Sequence, residues 1–201
     1  MPRVLGITGN IASGKTSVGR MLLALGAERY IDADAVVHRL YERDQPIAHQ
    51  VSAAFGPAVM ASDGSVDRQA LGAVVFRDAQ ALRRLELIVH PAVGQALLQE
   101  LAAVSPSGIA IIDAVKLLEG GSGTLCQSKW LIVCPLEQQL TRLMARNHLG
   151  EAEARARLAA QPDLEPKKAL VDEIIDNGGS LAETQRQVAA AFARFCHRFP
   201  A

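Results

Sequence analysis

Near the start of the chain, Gly9-Asn10-Ile11-Ala12-Ser13-Gly14-Lys15-Thr16 fits the spacing G-x-x-x-x-G-K-[ST]. The octapeptide follows an apolar run, Val4-Leu5-Gly6-Ile7, and precedes a helical pattern of Val18, Leu22, Leu23 and Leu25. A strand, a glycine-bearing turn and a helix in that order constrain the chain strongly. The glycines let the backbone turn tightly, so successive N–H groups converge on one point. The following helix adds unpaired N–H groups and the positive end of its dipole. A phosphate group suits such a cradle. Lys15 can reach the β- and γ-phosphates of a nucleoside triphosphate, and Thr16, followed by Ser17, can offer a hydroxyl to Mg²⁺. The loop from Gly9 to Ser17 therefore predicts nucleotide binding and leaves the reaction open.

Four more short runs read as strands: Arg29-Tyr30-Ile31, Ile109-Ala110-Ile111-Ile112, Trp130-Leu131-Ile132-Val133 and the weaker Glu173-Ile174-Ile175. They are nearly continuous in apolar residues, as strands covered on both faces are. Helical patterns lie between them, including Leu136, Leu140, Leu143 and Met144, and then Val188, Phe192 and Phe195. The alternation predicts an α/β fold, a parallel five-stranded sheet flanked by helices. The stretch from Ile31 to Ile109 is too long for one crossover and reads as a helical insertion. Within it, Gly56-Pro57 and Ser62-Asp63-Gly64-Ser65 are turn signals. Pro91 should kink or split the helix that carries Leu82, Leu85, Val89, Val93 and Leu97. The expected layout is one domain: a core of residues 1–40, 105–140 and 165–201, an insertion of 41–104 and a lid of 141–164.

Other residues gather at the expected ligand edge of the sheet. Asp32 and Asp34 follow the second strand, where an open parallel sheet receives its ligand. Residues i and i+2 of an extended segment point the same way, and a carboxylate there can take the proton of a hydroxyl acceptor. Asp34 equally suits the N-cap of a helix beginning near Ala35. Asp113 ends the third strand and fits either Mg²⁺ binding or a strand-end turn. Arg142 and Arg146 lie one helical turn apart, and Arg155 and Arg157 follow in the lid. Arginine forks pair with phosphate, although Glu151 and Glu153 equally allow a solvated helix of Glu–Arg pairs.

The resemblance to a known family rests on several segments in order. Beyond the phosphate loop they are Asp32-Ala33-Asp34, then Asp63-Gly64-Ser65-Val66-Asp67-Arg68, then Leu85-Glu86-Leu87-Ile88-Val89-His90-Pro91. Leu117-Leu118-Glu119, Gln139 through Arg142, Arg146, Arg157 with Gln161, and Ile175-Asp176-Asn177-Gly178 continue the match. The chain resembles the dephospho-CoA kinases over nearly its whole length. The resemblance implies a P-loop kinase core with a helical acceptor-binding insertion and a mobile lid. It implies transfer of the γ-phosphate of ATP, with Mg²⁺, to the ribose 3′-hydroxyl of dephospho-CoA. On that basis Asp34 is the expected general base, supported by Asp32, and Lys15, Arg142 and Arg146 hold the phosphates. Arg68, His90 and Arg157 are expected acceptor contacts, with packing inside the insertion the other reading of His90. Thr16 and Asp113 are the expected metal ligands. The family places Asn177 near the nucleotide base, and Ser180 suits a helix N-cap.

Two departures stand out. Ala12 occupies a position where the family usually has glycine, and its methyl group predicts a negative φ. Val115-Lys116 stands where the family commonly has Pro-Leu. Lys116 then reads as solvated or as an extra anion contact.

The remaining constraints are exclusions. Lys+Arg and Asp+Glu both number 21, so no bulk charge attracts nucleic acid or an anionic membrane. No apolar run is long enough to span a bilayer. Cys126, Cys134 and Cys196 lack disulfide or zinc spacing and read as small buried fillers. The opening Met-Pro-Arg-Val-Leu has no signal-peptide pattern, so the expectation is a cytoplasmic protein, a monomer or weak homo-oligomer. Two alternatives stay open: another P-loop kinase acting on a nucleoside or nucleotide, and a non-catalytic nucleotide switch. No N-K-x-D-like guanine-reading tetrapeptide is present to favour the switch.

Overall fold

A computed structural model describes all 201 residues. The strands are β1 (Arg3–Thr8), β2 (Arg29–Asp32), β3 (Ile109–Asp113), β4 (Ser128–Val133) and β5 (Glu173–Asp176), arranged β2-β3-β1-β4-β5. Pairing is parallel for β1 with β3, β1 with β4 and β4 with β5. The five runs expected from apolar continuity are these five strands. All five residues of β3 are buried, as are five of the six in β1, which explains why neither run alternates.

The helices are α1 (Lys15–Ala24), α2 (Ala33–Leu40), α3 (Pro46–Phe55), α4 (Arg68–Val75), α5 (Ala79–Ala102), α6 (Leu136–Asn147), α7 (Glu151–Ala159), the single turn α8 (Glu165–Lys168) and α9 (Leu181–Arg198). The chain divides into two compact units, residues 1–31 with 101–201, and residues 32–100.

In the first unit, alternate sheet residues Leu5, Ile7, Ile109, Ile111, Trp130 and Ile132 form one layer of a core. Val18 and Leu22 of α1 pack on it, as do Val188, Phe192 and Phe195 of α9. Leu5, Ile7, Val18, Leu22 and Trp130 are fully buried, and each such aliphatic side chain contributes roughly 1.5–3 kcal/mol relative to exposure. A separate cluster of Leu140, Leu143, Ala154 and Leu158 joins α6 to α7. Ile11 and Ala12 of the phosphate loop pack against it.

The second unit has its own core of Tyr41, Ile47, Val51, Val59, Val66, Leu71, Val75 and Val89. Val37 and Leu40 of α2 pack into it, so this unit begins before residue 41. Both turn signals are used. Gly56 (φ 83) ends α3 ahead of a 3-10 turn at Pro57–Val59. Asp63 Oδ1 accepts from the Ser65 amide at 2.9 Å and hydroxyl at 2.6 Å, and Met60 bridges Val66 antiparallel. Those bonds stabilise the Asp63 carboxylate and lower its pKa.

Of the kink or split expected at Pro91, the split does not occur, because α5 continues through it. The proline removes the partner of the carbonyl four residues earlier. That residue, Leu87, is 78% exposed, so water can satisfy the carbonyl.

Candidate active site

The phosphate loop links β1 to α1 with the geometry its residues dictate. Gly9 and Gly14 both take positive φ, 151 and 100. A Cβ at Gly9 would overlap the Ile132 carbonyl, and one at Gly14 would overlap the Asn177 amide nitrogen. Gly14 is the N-cap of α1, with no side-chain cap and no acidic residue in the first turn. The start of α1 thus keeps its donors and dipole for an anion. Lys15 Nζ lies back across the loop, 3.0 Å from the Gly9 carbonyl. Thr16 and Ser17 are exposed in the first turn of α1.

One expectation about this loop fails. Ala12 has φ 60, not a negative value. The turn geometry is imposed by the motif as a whole, and alanine, lacking a branched Cβ, tolerates it at a cost of about 1 kcal/mol or more. Its methyl group gains contact with the α6–α7 cluster in return.

Polar bonds hold the loop from outside. Asn10 Nδ2 donates to the Pro162 carbonyl at 3.1 Å, and the Ile11 amide donates to Gln161 Oε1 at 3.1 Å. Asn177 Nδ2 donates to the Ser13 carbonyl at 2.8 Å, while Asn177 Oδ1 accepts from the Thr184 hydroxyl at 3.1 Å. Asn177 is 7% exposed. The structure places its carboxamide against the loop backbone and Thr184. Ser180 caps α9 in a capping box with Glu183.

Asp113 ends β3 in register with Ile7, two residues before Gly9, and is buried. Its Oδ2 accepts from the Tyr30 hydroxyl. A buried carboxylate beside the root of the loop is a hard oxygen donor, as is the Thr16 hydroxyl. Mg²⁺ keeps several waters and takes phosphate oxygens as well, so this pair of donors fits that ion.

The arginines of α6 and α7 separate into different settings. Arg142 is half-buried: Nη1 lies 3.2 Å from Cys134 Sγ, and Nη2 donates to Gln138 Oε1 at 3.2 Å and to the Asn177 carbonyl at 3.0 Å. It sits beside Gly14. Arg146 donates to Asn147 Oδ1 at 2.9 Å and is exposed. Arg157 pairs with Glu153 at 2.7 Å, and Arg155 with Glu151 at 2.8 Å and Glu137 at 3.4 Å. Exposed pairs of this kind are weak and screened by solvent, so an anion can displace them.

In the second unit, Asp32 is the N-cap of α2, its Oδ1 accepting from the Ala35 amide at 2.9 Å. Asp34 is in the first helical turn, not in an extended segment. The strand argument for two parallel carboxylates thus gives way to a cap followed by a first-turn acid, and the cap is Asp32 rather than Asp34. Asp67 caps α4, and the guanidinium of Arg68 in its first turn meets the His38 imidazole. His90 is exposed on α5 and lines a cavity of about 390 Å³ with Arg83, Glu86, Leu87 and Pro91.

Two residues in the first unit escaped the sequence reading. Tyr30 looked like an ordinary strand residue, although it bonds Asp113. Lys167 sits in a polar stretch but is 6% exposed, with Nζ 3.0 Å from Glu119 Oε1 and 3.5 Å from the Val115 carbonyl. The Thr8 hydroxyl also donates to that carbonyl at 3.1 Å. Two donors therefore fix the backbone at Val115, and Lys116 is exposed. Gln161, which holds the Ile11 amide, was marked in the sequence by the family resemblance alone, beside Arg157.

A sequence profile of the dephospho-CoA kinases matches residues 3–183. The chain belongs to the dephospho-CoA kinase family. The dephospho-CoA kinase of Symbiobacterium thermophilum is 43% identical over 96% of this chain and 82% of its own length. The crystal structure of TT1252 from Thermus thermophilus covers all of this chain and 99% of its own, with 32% identity and a TM-score of 0.80. Dephospho-CoA kinase from Campylobacter jejuni covers 98% and 99%, with 26% identity and a TM-score of 0.65. Both solved structures share the α/β fold described above over nearly the whole chain.

Proposed function

We propose that the chain transfers the γ-phosphate of ATP to the 3′-hydroxyl of dephospho-CoA, giving coenzyme A and ADP. The observation that carries this reading is the uncapped start of α1 behind the Gly9–Thr16 loop, in a chain of this family. The loop amides and Lys15 grip the β- and γ-phosphates. Arg142, beside Gly14, and Arg146, on α6, add positive charge where negative charge develops, and Arg157, on α7, contacts the acceptor. Thr16 and Asp113 hold Mg²⁺, which when bound neutralises phosphate charge. Asp34 accepts the proton of the attacking hydroxyl, and Asp32 fixes the turn that presents it. Arg68 and His90, in the second unit, contact the acceptor. The reaction is a soluble metabolic step, so we place it in the cytoplasm, carried out by a monomer or weak homo-oligomer. No helix is long and apolar enough to cross a membrane.

The test offers Mg·ATP with dephospho-CoA, AMP, adenosine or no acceptor, and follows ADP release and product mass. Turnover is expected with dephospho-CoA alone, and turnover with AMP alone would overturn the proposal. Asp34→Asn should lower turnover by roughly 10²-fold or more while ATP still binds, as loss of a general base does.

A further inference from the structure

Asn177 has more fixed partners than a base-reading side chain requires. Its amide N–H donates to Val133 O at 2.8 Å. Its carbonyl accepts Arg142 Nη2, its Oδ1 accepts Thr184 Oγ1, and its Nδ2 donates to Ser13 O. Thr184 is fully buried and Asn177 nearly so. The side chain also lies against Gly14, where an added methyl group would collide with Nδ2.

The bond to Ser13 O has a geometric consequence. In a trans peptide the carbonyl and the following N–H point in opposite directions. Anchoring the Ser13 carbonyl to Asn177 Nδ2 therefore turns the Gly14 N–H away from Asn177 and into the loop. Gly14 sits at φ 100 and can rotate its flanking peptides at little cost. Without an anchor the Ser13–Gly14 peptide plane could flip and present a carbonyl to the phosphate. A buried carboxamide held at its oxygen by Thr184 is a rigid donor for this purpose.

We propose that Asn177 is a positioning residue of the phosphate loop: its carboxamide locks the Ser13–Gly14 peptide with the N–H inward, and it does not read the base. Through its own carbonyl it also holds Arg142 beside Gly14, so one residue sets both the loop and a lid cation. This inference rests on the ATP reading above for its binding arm and is independent of it for its exchange arm.

The test uses Asn177→Asp and Asn177→Ala in the full chain. Asp keeps the shape and an oxygen for Thr184 and removes the N–H. Amide exchange in the nucleotide-free protein is expected to rise at least tenfold at residues 13–15 in both variants, with the α9 core unchanged. Calorimetric titration is expected to give roughly tenfold weaker binding of both Mg·ATP and Mg·GTP, with their ratio held within about twofold, the size expected when a buried acceptor loses its partner. The KM for ATP should rise while the KM for dephospho-CoA stays fixed. An ATP:GTP ratio that falls toward one would make Asn177 a base contact and overturn the proposal. Wild-type exchange at residues 13–15 in Asn177→Asp would overturn it too. If the wild-type chain binds no ATP, the proposed function fails while the exchange arm still decides the anchor.

Discussion

Ala12 sits in the left-handed region in the middle of the phosphate loop, where glycine would be unstrained. Three terms compete when it is replaced by glycine. Relief of strain gains about 1 kcal/mol or more. Added freedom of the unfolded chain costs about 0.4–1 kcal/mol. Loss of the methyl contact with the α6–α7 cluster costs up to about 0.8 kcal/mol. They nearly cancel, so Ala12→Gly is expected to change stability by less than about 1 kcal/mol. Ala12→Val places a β-branched side chain at φ 60, a true outlier, and should cost more than about 2 kcal/mol. Urea denaturation of the two variants checks the order. A glycine variant less stable than the valine variant would show that methyl packing, not backbone strain, governs the position. The residue type alone pointed to negative φ, because sequence reading scores a position by its own preference. Here the loop's closure around its glycines decides, and alanine bears the strain.

Among elements, α9 shows how a local signal and a distant core combine. Ser180 and Glu183 form the capping box at its start, and Val188, Phe192 and Phe195 dock it on the sheet. Ser180→Ala removes an N-cap worth about 1 kcal/mol, which lowers Tm by roughly 2–4 °C in a chain of this size. Bonds from Ser180 depress the Glu183 pKa. A depressed carboxylate contributes stability that is complete above its unfolded pKa and is lost as pH falls through the folded value. The Tm gap between wild type and Ser180→Ala should therefore be full at pH 7 and narrower at pH 3. An equal gap at both pH values would show that Glu183 takes no part in the cap. Elements of this kind were legible: the five strands by apolar continuity, α9 by its periodicity and its cap. The start of α2 was misplaced by two residues, since Asp32 and Asp34 are both good caps and composition cannot rank them. The continuity of α5 was also hidden, because it depends on whether the Leu87 carbonyl faces water, which is a tertiary fact.

For the whole molecule, the turn from Gly9 to Thr16 and the helix it opens were legible because their residues are contiguous in sequence. Their supports were not. Tyr30 and Lys167 act through contacts between distant segments, and nothing local marks them. The division into units has a functional consequence that can be measured. The phosphate loop, Asp113 and Arg142 belong to residues 1–31 and 101–201, whereas Asp34, Arg68 and His90 belong to residues 32–100. A ligand slows amide exchange where it orders or covers backbone. A non-hydrolysable Mg·ATP analogue alone should protect residues 10–17 and the Arg142–Asn177 neighbourhood. Dephospho-CoA alone should protect segments of residues 32–100, foremost the first turns of α2 and α4 and the His90 face of α5. Hydrogen-exchange mass spectrometry separates the two patterns by peptide. Acceptor protection confined to residues 101–201 would remove the second unit from acceptor binding, and with it the roles given to Arg68 and His90, while leaving the phosphate loop as described.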